Sequence, residues 1–159
     1  MSHPTTLRHA LWDGLRKLYR EIRRVVASAE EHSGQAVVAA ASVEEVRAAL
    51  GRHSYAPNWE FSYNERGEVL NLAQVVYEPR TVGHHEYVWW QTHVRGWAQS
   101  DGHVRLRPHL ELEPTEYDQD HIAGIGLDIS EGVDRVAETL AEEGIDYERY
   151  EDLPAGTEG

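Results

Sequence analysis

Hydrophobic positions recur along this chain with two different periods, and the change from one to the other divides it. From Thr5 to about Glu31, Leu11, Leu15, Leu18, Ile22, Val25 and Ala29 repeat at three- and four-residue steps, with Trp12, Tyr19 and Val26 as a flanking stripe. That spacing predicts a long amphipathic helix over about 5–31. Its apolar face is wide enough to pack on a sheet and to pair with the same helix of a second copy. His32–Ala41 is small and weakly polar and reads as a connection with local helix. Ser42 then opens a capping box with Glu45, which predicts a short helix over about 43–50 that ends near Gly51.

Beyond Gly51 the period becomes two. Trp59, Phe61 and Tyr63 alternate with Glu60, Ser62 and Asn64 and predict a strand. Glu68–Glu78 is apolar on both faces, the pattern of a central strand covered on both sides. A turn over Pro79–His84 leads to the most informative stretch, His85–Pro114, which reads as one long hairpin closed by Ser100-Asp101-Gly102. A three-residue loop with Gly102 left-handed pairs residues whose numbers add to 202. His93 then faces His109, Arg95 faces Arg107, Trp97 faces Arg105 and Gln91 faces Glu111. Val88, Trp90, Val94, Val104, Leu106, Leu110 and Leu112 gather on the other side, which should take the helices. A two-residue Asp-Gly loop would pair Val94 with His109 and mix the faces, so it is rejected. Pro108 cannot donate to a ladder, and the strand that carries it is expected at a sheet edge with that position turned outward.

His121–Leu127 suggests a short fifth strand, and Asp128 with Glu131 caps a closing helix over about 129–143 lined by Val133, Val136, Ala137 and Leu140. The expected fold is α+β: two N-terminal helices, a four- or five-stranded antiparallel meander over about 58–114 and a C-terminal helix packed on the sheet. Residues 1–148 form the expected single domain and 149–159 a flexible acidic tail.

Composition changes this picture in three places. The 159 residues include no cysteine, so disulfide and thiolate chemistry are excluded and any metal must use His, Asp or Glu. No apolar run reaches the roughly 18 residues of a membrane-spanning helix and no signal-peptide pattern opens the chain, so a cytoplasmic, membrane-free protein is expected. Acidic residues number 28 against 15 basic ones, a net charge of −13, and Lys17 is the sole lysine. Such acidity with arginine in place of lysine resembles cytoplasmic proteins of extreme halophiles, with Arg-rich codon bias as the rival explanation. Overall acidity argues against nucleic acid as a partner. Residues 1–30 depart from it, with six basic and three acidic side chains, which suits a basic helix lying on its own acidic body or serving as an interaction arm.

Candidate chemistry collects on the polar face of the hairpin. Trp89, His93, Arg95, Trp97, Arg105, Arg107 and His109 make an unusual solvent face for a sheet and are the candidate ligand-binding residues. Arg95 across from Arg107 would repel, so an anion is expected nearby, from Glu111, Glu113 or Glu86 or from a bound carboxylate or phosphate. His93 and His109 lie close enough across the ladder to share a metal ion with Glu111, with His85 as a further candidate. Three functions follow from this face. The first is a non-catalytic binding or assembly protein, expected as a homodimer through the long helix or the sheet face, that holds a small anion. The second is a metal-dependent enzyme built on His93, His109 and Glu111; apart from such an ion no cofactor is expected. The third, single-stranded nucleic-acid binding by the aromatic face, runs against the net charge.

Overall fold

A computed structural model of the chain describes residues 34–58, 65 and 67–153. The expected helix at 5–31, the expected strand over 59–63 and the tail from 154 onward lie outside the described residues. Within them the chain runs β1 (Gly34–Ala39), α1 (Val43–Arg52), β2 (Ala56–Pro57), β3 (Leu70–Val82), β4 (His85–Ala98), β5 (Val104–Leu112), α2 (Asp118–Ile122), α3 (Ile129–Glu142) and β6 (Tyr147–Leu153). The six strands form one antiparallel sheet in the order β2-β3-β4-β5-β1-β6, so the class is α+β.

The β4–β5 hairpin follows the register that the face pattern demands: His93 pairs with His109, Arg95 with Arg107, Trp97 with Arg105 and Gln91 with Glu111. Gly102 supplies the left-handed residue of the loop, at φ 86°. Both expected helix caps form, with the Ser42 and Asp128 side chains accepting the backbone N–H of Glu45 and Glu131.

Several expectations are corrected. Gly34–Ala39 is not a connection but strand β1, inserted between β5 and β6. Burying Ala36, Val37 and Ala39 in the sheet outweighs the helical preference of alanine. Tyr147–Leu153 is the edge strand β6 rather than the start of a loose tail. The strand carrying Pro108 is interior, with β4 on one side and β1 on the other. Leu110 exchanges backbone hydrogen bonds of 2.8 and 2.9 Å with Asp128, so even-numbered residues of β5 turn their backbones away from β4. Pro108 is buried rather than turned outward; its backbone faces away from β4, and the β1 pairing ends at Leu106, before the position where its missing donor would be needed. The His121–Leu127 piece is not a strand, since α2 runs through Ile122.

The turn expected over Pro79–His84 shrinks to Gly83-His84, with Val82 paired to His85 and Gly83 at φ 63°. Glu78 and Pro79 sit in a bulge between the Tyr77 and Arg80 pairings, where proline's missing N–H costs no ladder bond. The strand covered on both faces is β4, buried continuously from Trp90 to Trp97, and not β3, whose Val75 and Tyr77 are 51% and 63% exposed.

On the even-numbered face of the hairpin, Val94, Val104 and Leu106 join Val37, Val46, Leu50, Val133, Val136 and Leu140 in the main core. A second cluster joins Trp90, Leu110 and Leu112 with Tyr87, whose ring meets Trp90 edge-on at 6.3 Å. Helix α3 presses hardest at Gly132. A Cβ built there would lie 2.3 Å from the His109 Cα, so only glycine permits this approach.

A buried polar cluster on the hairpin

The odd-numbered face is covered over Gln91–Trp97. His93 is 4% exposed, Trp97 5% and Arg95 8%, so the expected solvent face is an interior of polar groups. Buried polar groups need partners, and here they find one another. Glu111 is the hub. Its Oε1 accepts a hydrogen bond from Gln91 Nε2 at 2.6 Å and lies 3.3 Å from His93 Nδ1. Its Oε2 lies 3.1 Å from His109 Nε2 and 3.7 Å from His121 Nδ1. The two imidazoles meet edge-on, with ring centroids 5.0 Å apart.

Burial pushes His93 down to about 4, because an imidazolium would lose its hydration there, so its ring is neutral at neutral pH. Burial pulls Glu111 up. The flanking imidazoles, His109 first and His93 after it, outweigh that and hold it well below the usual carboxylate range. A neutral imidazole beside an ionised carboxylate is the protonation state in which both are metal ligands. One donor atom each from His93, His109 and Glu111 lies within 4.8 Å of the others. Donors on an ion with bonds of ~2.0–2.1 Å sit roughly 3 Å apart; His93 comes that near to one Glu111 oxygen and His109 to the other.

Arg95 is neutralised from an unexpected quarter. In place of Glu111, Glu113 or Glu86, the carboxylates that meet Arg95 are Glu68, at 2.5 Å, and Glu65, at 3.6 Å, from the loop that precedes β3. Glu111 belongs to the histidines. Glu113 turns its carboxylate to the backbone N–H groups of Thr115 and Glu116, and Glu86 is exposed. Arg105 and Arg107 lie over the Trp97 ring at 5.5 and 6.0 Å.

Beside this cluster lies a cleft of about 300 Å³ lined by Gly34, Gln35, Glu65, Arg95, Trp97, Arg107, Pro108, His109 and Ile129. His109 borders both cleft and cluster. Six of the seven candidate ligand-binding residues are thus drawn together around Trp97 and His109. Trp89 is not among them. It is 38% exposed and packs edge-on against Tyr77, four residues along β4 from His93. His85 sits at the far end of β4, against Tyr87.

Asn71, Glu68 and His121 are new members. Asn71 lies on β3 beside His93, and its Oδ1 is 2.8 Å from His93 Nε2. Asn71 gave little signal, since Gln74 is a second amide in the same apolar run Val69–Tyr77. His121 gave none, since α2 brings it to Glu111 through a loop with no period to read.

Comparison with family models, with curated proteins and with solved structures finds no match to this chain. Among the described residues, no helix is long and apolar enough to cross a membrane.

Proposed function

We propose that this is a metal-dependent protein that acts on a small anionic ligand. His93, His109 and Glu111 hold one divalent transition-metal ion, and the adjoining cleft delivers the ligand to it. The convergence of the three donor atoms within 4.8 Å carries this reading. Two imidazoles and one carboxylate leave coordination positions open, as in catalytic rather than structural centres. Access runs past His109, the most exposed of the three side chains at 24%, and the cleft that it borders carries Arg95, Arg107 and Trp97. An ion bound there supplies a Lewis acid, and Arg107 on the cleft wall supplies recognition of a carboxylate or phosphate. A metal-free anion holder is the lesser reading, because Glu65 and Glu68 already offset Arg95.

Elemental analysis of protein purified without an affinity tag tests this. Stoichiometric zinc, manganese or iron, lost in His109→Ala, is the expected result. A metal-free protein that takes up none of the three ions on addition would overturn it.

A further inference from the structure

A chain of hydrogen bonds runs from the cleft to the cluster. Arg95 Nη1 donates to Glu68 Oε2 at 2.5 Å, and Glu68 Oε1 accepts from Asn71 Nδ2 at 3.1 Å. This second bond fixes which way the Asn71 amide faces. With its NH₂ turned to a carboxylate, its carbonyl oxygen is the atom that meets His93 Nε2 at 2.8 Å. An amide oxygen only accepts, so the proton between them belongs to His93 Nε2. The other ring nitrogen, Nδ1, then presents its lone pair to Glu111 Oε1, 3.3 Å away. Two lone pairs face each other across that gap. A cation between them turns the repulsion into two bonds.

We propose that Asn71 is a positioning residue that sets His93 as the Nε2–H tautomer and so aims Nδ1 at the ion shared with Glu111. The proposal rests on the metal reading above and adds a residue to it. A ligating histidine that hands its second N–H to a carbonyl is the usual way such a ring is oriented. Here the carbonyl is itself held through Glu68 by an arginine of the cleft.

Two measurements test it on the full-length protein. In the metal-free ¹⁵N-labelled chain, long-range ¹H–¹⁵N correlations report which nitrogen of His93 carries the proton, with the resonances assigned by comparison with His93→Gln. A proton on Nε2 alone is expected. A proton on Nδ1, or on both nitrogens, would overturn the role of Asn71 even if zinc binds tightly. In the second measurement Zn²⁺ is titrated into the wild type, Asn71→Leu and Asn71→Asp. Leucine removes the acceptor and should weaken binding by roughly 10- to 100-fold. Aspartate keeps an acceptor for Nε2–H and should bind within a few-fold of wild type, although it sets a second carboxylate against Glu68 and folds less stably than wild type. Affinities that follow stability instead, with aspartate no better than leucine, would mean that Asn71 merely packs. A wild type that binds no zinc while His93 still carries its proton on Nε2 would remove the metal reading and leave the hydrogen-bond chain standing.

Discussion

Along Trp90–Trp97 both faces of the β4–β5 hairpin are covered, and they are held by opposite means. On one, Val94, Val104 and Leu106 lie with residues of helix α3 and β1 in the main core, where removal of apolar surface from water supplies the stability. On the other, His93, Gln91 and Arg95 lie against Glu111, Asn71 and Glu68, where each group is tolerable only because another satisfies it. The apolar face is sensitive to volume and indifferent to charge. The polar face is sensitive to charge and to the direction of each hydrogen bond. A fold that needed only a core would repeat the first solution on both sides; the second is what the proposed metal site requires.

Substitutions on each face should separate these dependences. Leu106→Ala removes a fully buried side chain and should lower stability by about 3 kcal/mol in chemical denaturation. While it remains folded it should take up metal as wild type does. Gly132→Ala should cost about 2 kcal/mol, since its Cβ would collide with the His109 backbone. This change enters from the apolar side and displaces a residue of the polar one, so metal affinity should fall with it. Intact affinity at reduced stability would show the two faces to be independent even there. Glu111→Gln keeps the size of the hub and removes its charge. It should cost about 1 kcal/mol of stability while weakening metal binding by at least ~100-fold. A loss confined to stability would make the cluster a purely structural network.

The smallest effect belongs to a surface network outside both faces. Glu131 accepts from Arg80 and Arg135, and Glu78 pairs with both arginines. Arg80 first, and Arg135 after it, hold the Glu131 carboxyl at about 2, below its ordinary 4.5. A depressed carboxylate contributes stability that is complete above the unfolded value and is lost as pH falls from 4.5 toward 2. Glu131→Gln should therefore lower the unfolding midpoint at pH 7 by an amount worth about 0.5 kcal/mol. The deficit relative to wild type should close at acid pH, and a deficit that persists at pH 2 would assign the effect to packing.

What could be read from the residues alone was the hairpin, because alternation over nine paired positions admits one register and a one-residue slip exposes the whole apolar set. His93, His109 and Glu111 came with it, since cross-strand neighbours follow from register. Burial of that face did not come with it, because what covers a strand is decided by distant segments such as the loop carrying Glu65 and Glu68. Strand β1 was hidden by its alanines, which favour a helix wherever no sheet is waiting. Strand β6 was hidden by Glu148, Arg149 and Glu151, charges that suit an edge strand and mask its period. Asn71 was out of reach, because its place beside His93 depends on the β3–β4 register, which shifts at the Glu78-Pro79 bulge.

Cobalt(II) titration followed by visible absorption tests the shared ion most directly, because its ligand-field bands report the donors as well as the stoichiometry. The wild type should saturate at one equivalent with a spectrum that zinc displaces, and His93→Gln and Glu111→Gln should each abolish it. A wild type with no such bands, or bands that survive both substitutions, would contradict a metal centre at this place.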